Sequence, residues 1–590
     1  MTYQQIEPPI PSHDKLARIA LLRDWLIANK FDGLLINHDD ESLGEYLQAR
    51  DERLCWATGF SGSSGLALVT PTGGHVITDG RYHLQAATEV AGCGLEVLDH
   101  AEDITALNDL PQRARIAAWP QQFPVKSWAY WEEKTGKAGH VLEQIATHPV
   151  DDVWQDRPPR KNSTPRPHDL ALAGQTSAEK LQHLRSWLLN HELDGFVTTD
   201  ATCICWLANI RGADLPHTPV IQSALLVTRD DAVISLEGRE RAGLLQSLLH
   251  DAFSVRDDGL LGITKQVKNA VAYDPAKTSA GMLQALRNHG CQPTPKPCPI
   301  SAQKMIKNDA EQAGMREAHR RDGLAMVRFL SALDKMPPKD ELEIVIRLEE
   351  SRRLSDKLLD ISFDTISGLD EHGAVIHYRV SRESNKAVAA NGSLLLLDSG
   401  GQYTDGTTDI TRTIWVGNAS PGRRMIENHT LVLKAHIALA QCRFPVGTNG
   451  IQLDAITRAP LWMAGKDFAH GTGHGVGAAL SVHEGPCGIH KRATTPLAPG
   501  MILSNEPGYY EAGSHGIRIE NLVLVVADGD TLGLETLTLA PIDLRLVAKD
   551  MLTDHECAWL NKYHQHVWDI LHPDLDDHHA SWLKKATAAI

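Results

Sequence analysis

A short pattern near the amino terminus recurs farther along the chain, and this repeat constrains the fold more than any other feature. LRDWL at residues 22–26 and LRSWL at residues 184–188 are offset by 162 residues, and each is followed by an Asp-Gly pair. Each copy has the apolar spacing of a helix, then the turn, then a short apolar strand at residues 34–36 or 196–198. The sequence therefore predicts two related α/β domains. The alternative is chance similarity between two amphipathic helices.

Two proline-rich stretches divide the chain. Residues 157–168 (RPPRKNSTPRPH) are basic and offer little apolar surface, and prolines alternate at positions 293, 295, 297 and 299. Because proline fixes φ and has no N–H, such spacing excludes a regular helix and a central strand. A chain of 590 residues also exceeds what one core supports, at about 150 residues per domain. We predict domains at 1–157, 158–303 and 304–590.

The third segment has the pattern of helices followed by antiparallel strands, which indicates an α+β domain. Helical periodicity is interrupted by Pro337-Pro338 and returns later, with Pro421 in a first helical turn. The predicted helices are 309–333, 339–354 and 421–443, and the predicted strands are 394–398, 409–416, 501–506 and 517–526.

Charge and composition restrict the partners. A formal net charge of −16 disfavours nucleic acid and anionic membranes as partners. No apolar run reaches the ~20 residues of a spanning helix, and the first fifteen residues lack a signal-peptide pattern. Nine scattered cysteines do not indicate a disulfide-stapled secreted fold. We expect a cytoplasmic protein without a nucleic-acid or membrane partner.

Five residues of the third segment could bind metal. Asp398 ends the apolar run LLLL, where a buried carboxylate is costly unless a cation neutralises it. Asp409 follows eleven residues later, so the two carboxylates are predicted to face each other on paired strands. Glu506 closes a strand before Pro-Gly. In IRIE, period-two alternation puts Arg518 and Glu520 on one face, where Arg518 is predicted to hold Glu520 in place.

The fifth residue, His474, stands in the glycine-rich stretch HGTGHGVG at residues 470–477. Glycines there are expected to let the backbone approach a metal or a substrate closely. Four carboxylates and one imidazole form a hard-oxygen ligand set that suits Mn²⁺ first, with Co²⁺, Fe²⁺ or Zn²⁺ as alternatives. So many negative charges call for two divalent ions, which could hold a bridging hydroxide and polarise an amide. Each acid taken singly could instead be a surface turn residue.

These motifs resemble the pita-bread metallopeptidases, and aminopeptidase P (Xaa-Pro aminopeptidase) in particular. The segments that carry the resemblance are LDSG, GTTDITRT, HGTGHGVG, VHEGP, NEPGYY and GIRIEN. GFSGSSG, TDGRY and WLANIRG extend it to two creatinase-like amino-terminal domains of the long, three-domain cytosolic form. The resemblance spans nearly the whole chain. It implies a fold of two α/β domains followed by an α+β catalytic domain.

The resemblance also implies site roles. The family's metal ligands correspond to Asp398, Asp409, His474, Glu506 and Glu520. Glu506 would also accept a proton from the attacking water, and His377 and His483 would hydrogen-bond the substrate and the oxyanion. His470 would line the proline pocket, and Arg518 is counted with these histidines as substrate-binding. After His377 the sequence reads YRVSRE where relatives often have prolines, and no role is assigned to His515.

The function implied is removal of the first residue from peptides whose second residue is proline. Proline lacks the backbone N–H that general peptidases grip. The alternatives are a prolidase, which cleaves only Xaa-Pro dipeptides, and a non-catalytic pita-bread scaffold. Family resemblance further implies a homodimer.

Overall fold

The computed structural model describes residues 2–7, 14–267 and 270–590. It divides into two compact units. The amino-terminal unit comprises the described residues from 14 to 301, and the carboxy-terminal unit comprises Thr2–Glu7 together with Ala302–Ile590. Among the described residues, no helix combines the length and apolarity that crossing a bilayer requires.

Helices and strands alternate through the amino-terminal unit. Its helices are α1 Lys15–Asn29, α2 Arg53–Thr58, α3 His83–Glu89, α4 Asp103–Asn108, α5 Val125–Lys137, α6 Pro149–Val153, α7 Leu170–Ala173, α8 Ser177–Asn190, α9 Ala201–Leu207, α10 Arg239–Leu249, α11 Gly259–Gly262 and α12 Ala280–Asn288. The helix α13, Pro299–Lys304, crosses the boundary between the units.

The strands of this unit form two six-stranded sheets and one short pair. They are β1 Gly33–Asn37, β2 Leu66–Val69, β3 Gly74–Thr78, β4 Glu96–Asp99, β5 Arg115–Ala118, β6 Val141–Gln144, β7 Arg166–Pro167, β8 Gly195–Thr198, β9 Ile210–Arg211, β10 Ala224–Thr228, β11 Ala232–Ser235, β12 Ser254–Arg256, β13 Ala270–Tyr273 and β14 Gln292–Pro295.

The two sheets have the same strand order, as the repeat predicts. The first is β4-β3-β2-β1-β5-β6 and the second is β12-β11-β10-β8-β13-β14. Equivalent contacts recur as well. Arg23 of α1 donates to Thr70 O at 3.2 Å, and Arg185 of α8 donates to Thr228 O at 3.4 Å. The prediction of two related α/β domains is confirmed.

The second proline-rich stretch forms a strand at a sheet edge, which agrees with the prediction that its prolines exclude a central strand. Residues 292–295 form β14, paired in parallel with β13, with Pro293 opposite Val271 and Pro295 opposite Tyr273. Because β14 lies at the edge of its sheet, the missing N–H groups interrupt no second ladder. The first stretch is irregular from Trp154 to Pro165, apart from turn residues.

The carboxy-terminal unit is α+β. Its helices are α14 Asp309–Lys335, α15 Glu341–Arg352, α16 Arg423–Ala440, α17 Gly450–Met463, α18 Asp554–Leu571 and α19 Asp577–Ala586. Its strands are β15 Leu358–Ile361, β16 Ile366–Leu369, β17 Ser393–Ser399, β18 Gly401–Tyr403, β19 Ile410–Val416, β20 Phe444–Pro445, β21 Gly473–Gly475, β22 Glu484–Ile489, β23 Ile502–Asn505, β24 Gly508–Glu511, β25 His515–Arg518, β26 Asn521–Asp528 and β27 Thr531–Thr536.

Most predicted elements of this unit are present. The helix α14 begins at a capping box in which Asn308 and Glu311 bond each other's backbone, and it ends before Pro337-Pro338. The helix α16 begins at Arg423, so Pro421 lies before its first turn rather than in it. The strand predicted at 517–526 is divided between β25 and β26, and Glu520 lies in the interruption.

Two sheets position the candidate site. One has the order β16-β17-β19, and the other has the order β20-β27-β26-β23-β21-β22. They meet where Glu520 N donates to Thr411 O at 3.0 Å. Ile517 and Ile519 are fully buried in a core with α16 and α18, which confirms the predicted alternation in IRIE. The alternating polar residues, Arg518 and Glu520, are left to face the site.

Candidate metal centre

The five candidate ligands converge where the two sheets meet. Asp398 lies in β17 with an exposure of 8%, Asp409 directly precedes β19 at 4%, and Glu520 directly precedes β26 at 1%. His474 is the middle residue of β21 and Glu506 directly follows β23, and both are half-buried. Across the strands, Asp398 pairs with Thr411. Asp409 is therefore a diagonal neighbour of Asp398 on the same face, rather than its direct partner.

The side chains of the cluster are close enough to share a cation. His474 Nε2 is 3.4 Å from Asp409 Oδ2 and 3.6 Å from Glu506 Oε1. Ligand atoms of Asp409, His474 and Glu520 all lie within 4.8 Å of one another. The structure thus brings Asp409, His474, Glu506 and Glu520 together.

The imidazole of His474 is oriented for binding an ion through Nε2. Its Nδ1 donates to Gly475 O at 3.0 Å, which leaves Nε2 directed at the carboxylates. Burial lowers the pKa of His474, but Asp409 and Glu506 outweigh this effect and raise it to about 9. Binding of a cation therefore requires that this ring lose its proton.

The acids themselves show that positive charge fits here. Asp398 Oδ1, Asp409 Oδ1 and Glu520 Oε1 are buried, and none has a hydrogen-bond partner among the described residues. An unpaired buried carboxylate oxygen is costly. Accordingly, burial raises the pKa of Asp398 to about 6 despite the nearby Arg518. Burial, together with the neighbouring carboxylates, raises the pKa of Glu520 well above its usual range. Divalent cations would satisfy these oxygens.

Arg518 contacts a different acid from the one predicted. Its Nη2 donates to Asp398 Oδ2 at 2.6 Å, and its Nε donates to Thr411 Oγ1 at 3.1 Å. Thr411 Oγ1 in turn donates to Glu520 Oε2 at 2.7 Å. Arg518 therefore orients Asp398 directly and Glu520 only through Thr411, because β25 ends beside β17 before the chain reaches Glu520.

Tyr510 is a site residue that sequence reasoning missed. Its hydroxyl accepts from Arg518 Nη1 at 2.6 Å and donates to His470 Nε2 at 2.8 Å. The other nitrogen of His470 donates to Gly471 O at 2.7 Å and lies 3.8 Å from Glu506 Oε2. The alternation of side chains along β24 could have indicated Tyr510. Tyr510 lies two residues after Gly508 and so on the same face, and Gly508 is paired with Arg518 across the hairpin.

The other two predicted histidines flank the cluster. The His483 ring lies 4.5 Å from the His474 ring at an interplanar angle of 89°. His377 follows Ile376, whose carbonyl accepts from Arg518 Nη2 at 3.5 Å. His515, by contrast, bonds Asn428 at 3.1 Å and Ser514 at 2.8 Å. These contacts tie His515 to the β24–β25 hairpin and α16 rather than to the carboxylates.

The glycines around His474 have a different role from the one predicted. A Cβ on Gly473 would lie 1.9 Å from Ser504 O, and one on Gly475 would lie 2.2 Å from Glu484 O. The close approach that requires glycine is therefore between β21 and its neighbouring strands. Packing of the sheet, rather than space for a metal, explains these two positions.

A buried ion triad lies beside His483. Glu484 is 3% exposed, and its Oε2 accepts from Lys304 Nζ at 2.6 Å. Its Oε1 contacts Lys307 Nζ, and both lysines are buried. The triad fixes the first residue of β22, and through it the backbone position of His483. Neither lysine was singled out in the sequence.

Comparison with protein-family models matches most of the chain in four parts. Residues 18–147 and 156–311 match the creatinase/prolidase N-terminal domain in two forms, and residues 313–527 match metallopeptidase family M24. Residues 530–590 match the C-terminal region of that peptidase family.

Individual relatives match over similar lengths. Aminopeptidase P1 of Lotus japonicus is 35% identical, and the match covers 95% of this chain and 97% of the relative. The X-prolyl aminopeptidase of Caenorhabditis elegans, described as a cytosolic enzyme with a di-nuclear active site, superposes with a TM-score of 0.90 at 31% identity, covering 98% of this chain and all of that one. The Xaa-Pro dipeptidase of Bacillus anthracis covers only 62% of this chain and 99% of its own, with a TM-score of 0.53 at 27% identity.

Proposed function

The chain belongs to the aminopeptidase P group of metallopeptidase family M24. We propose the residue roles by which it acts as an Xaa-Pro aminopeptidase. It is a metal-dependent enzyme that hydrolyses the bond between the first residue and a penultimate proline. The observation that supports this function most directly is the set of three buried carboxylate oxygens without partners, on residues that lie together with an imidazole. Such a set is costly without cations and suits a two-metal hydrolase.

We assign the binding of two divalent ions to Asp398, Asp409, His474, Glu506 and Glu520. Bound there, the ions supply the Lewis acidity that amide hydrolysis needs at neutral pH. Arg518 holds one oxygen of Asp398 and Thr411 holds one oxygen of Glu520, so each carboxylate keeps its other oxygen for a cation.

Glu506 is the proposed proton acceptor for the attacking water. Its Oε1 accepts from Ser504 Oγ at 3.1 Å, and burial raises the pKa of its carboxyl group. A raised pKa brings a carboxylate closer to the operating pH, where a general base is most effective. His483 and His377 are the proposed hydrogen-bond donors to the substrate and the developing oxyanion, and His470, held by Tyr510, lines the proline pocket.

The finer properties are part of the same proposal. The oxygen-rich ligand set favours Mn²⁺, with Co²⁺, Fe²⁺ or Zn²⁺ as alternatives. We propose a cytoplasmic location, in line with the cytosolic relative from C. elegans, and a homodimer. Sedimentation of the purified protein tests the oligomeric state. Metal analysis after purification without added metal tests which ion is bound.

The deciding experiment compares a tripeptide Xaa-Pro-Xaa with the dipeptide Xaa-Pro, each with and without Mn²⁺. We expect metal-dependent release of the first residue from the tripeptide. Cleavage of the dipeptide alone would instead identify a prolidase. No cleavage of either, in protein that carries its metal, would favour the non-catalytic scaffold.

A further inference from the structure

Residues Thr2–Glu7, which we call the amino-terminal strap, lie in the carboxy-terminal unit although more than 290 residues separate them from the rest of that unit. Its central residue, Gln4, is only 2% exposed. Gln4 Nε2 donates to Thr365 O at 3.2 Å, and Thr365 N donates to Gln4 Oε1 at 3.0 Å. The amide side chain thereby satisfies both backbone groups of Thr365, as a neighbouring strand would.

The strap is also fixed to α15. Glu349 accepts from Tyr3 N at 2.7 Å and from Gln4 N at 3.3 Å. The guanidinium of Arg353 lies 4.1 Å from the centre of the Tyr3 ring and pairs with the same Glu349 carboxylate at 2.7 Å. Glu349 is itself buried. A buried carboxylate that accepts two backbone N–H groups gives the strap a defined position rather than a loose contact.

From this position the strap reaches the segment that carries His377, residues 375–387, which we call the His377 loop. Arg379 Nη2 donates to Gln5 O at 3.0 Å, and Arg382 Nε pairs with Glu7 Oε1 at 2.8 Å. Thr365, which Gln4 holds, precedes Ile366, and Ile366 is the strand partner of Asp398. The strap therefore supports both the loop and the strand beside the metal centre.

The His377 loop also contacts a residue of the candidate site, Arg518. Ile376 O accepts from Arg518 Nη2 at 3.5 Å. Farther along, Glu341 accepts from Tyr378 OH and from Lys386 N, each at 3.0 Å. These contacts hold a loop that has no proline between residues 375 and 387. Because no proline ring restricts its backbone, the position of His377 depends on the side-chain contacts around the loop.

We propose that the amino-terminal strap is a positioning element for substrate binding, with Gln4 as its principal residue, acting through the His377 loop. The proposal rests on the proposed function, in which His377 contacts the peptide. An intact strap then becomes a requirement for peptide affinity, although the strap itself touches neither substrate nor metal.

The experiment uses the full chain, a variant lacking residues 2–7, and Gln4→Ala. The matched control is Gln5→Ala, since the Gln5 side chain is exposed and the carbonyl that Arg379 contacts is retained. For an Xaa-Pro tripeptide we expect KM to rise about tenfold in the deletion and in Gln4→Ala, the effect of losing one or two net hydrogen bonds. We expect kcat to stay within about threefold, with bound metal unchanged.

A second measurement does not depend on activity. Hydrogen–deuterium exchange of peptides covering residues 375–387 should become faster in the deletion and in Gln4→Ala, while those covering β26 stay as in the full chain. If the full chain cleaves no Xaa-Pro peptide, the proposed function fails, and exchange alone still decides whether the strap holds the loop. Unchanged exchange would overturn the proposal. So would a joint fall in kcat and bound metal, since that would indicate general destabilisation.

Discussion

Two clusters of ionisable residues, one in each unit, differ in how far the protein itself bonds their carboxylate oxygens. Asp40, Glu41 and Asp51 of the amino-terminal unit lie as close together as Asp409, His474 and Glu520 of the metal centre. In the first group, Arg157 contacts Asp51 at 3.1 Å and Arg53 contacts Glu41 at 3.4 Å. Asp40 accepts from Ser42 N and Gly44 N, and also from Gln222.

The candidate metal centre has fewer such partners. Arg518 alone among the arginines bonds its described carboxylates, and three acids there each have an oxygen without a partner. Within the cluster of Asp40, Glu41 and Asp51, only Asp51 Oδ2 is buried without a hydrogen-bond partner. A cluster of acids therefore indicates a metal site only when the protein's own cations and N–H groups do not already satisfy it.

The largest expected effect comes from Asp409→Asn. Changing the partners of metal ligands costs about 10- to 100-fold in affinity or activity, so loss of a ligand should lower kcat/KM by about 1000-fold. Bound metal should fall in parallel, as measured by elemental analysis beside the tripeptide assay. Full turnover with a normal metal content in this variant would contradict the ligand assignment.

The same substitution in the other cluster should act on stability instead. Asp51→Asn removes one negative charge beside Arg53 and Arg157, although both keep Asp151 as a partner. Loss of a hydrogen bond to a charged group costs up to about 3 kcal/mol. We expect the urea midpoint of the amino-terminal unit to fall by the corresponding amount while bound metal is unchanged. Loss of bound metal in Asp51→Asn would contradict a purely stabilising role for the cluster of Asp40, Glu41 and Asp51.

The pH dependence of stability offers an effect of similar size. Burial, with Glu41 and Asp51, raises the pKa of Asp40 to about 7 from its ordinary 3.8. The fold holds this proton more tightly than the unfolded chain, so its contribution to stability is complete below about pH 4 and is lost as pH rises through 7. Between pH 5 and pH 8 the wild type should lose about 3 kcal/mol relative to Asp40→Asn. Urea unfolding of both proteins at the two pH values measures this difference, and parallel curves would refute it.

The smallest effect is expected from Tyr510→Phe. The variant removes a hydroxyl that bonds Arg518 and His470 but keeps the ring, so about 1 kcal/mol of positioning is lost. We expect kcat/KM to fall about fivefold with metal content unchanged. Tyr509→Phe, at the neighbouring position of β24, is the matched control. An equal fall in kcat/KM in both variants would show that the Tyr510 hydroxyl has no specific role in the site.

Local patterns predicted much of this structure. The Asp-Gly turns and the repeated Leu-Arg-x-Trp-Leu predicted two related α/β domains, and the eleven-residue spacing predicted that Asp398 and Asp409 come close together across a hairpin. These succeed because turn chemistry and strand periodicity act over a few residues. The roles of His377, His470 and His483 came from the family resemblance alone.

What the sequence missed depends on contacts between distant residues. Arg518 was expected beside Glu520, but its partner is Asp398, 120 residues away. Tyr510 gains its position from the pairing of β24 with β25. Likewise, residues 2–7 were assigned to the first domain, whereas Thr2–Glu7 packs in the carboxy-terminal unit. No short-range pattern encodes such pairings.

The triad of Glu484 with Lys304 and Lys307 limits where a shortened fragment of this chain can begin. An expression fragment that started at Asn308 would retain Glu484 but lose both ammonium groups. That carboxylate would then remain buried with no counter-charge, directly after His483. A workable fragment of the peptidase portion must therefore begin upstream of Lys304, even though the first long helix begins only at Asp309.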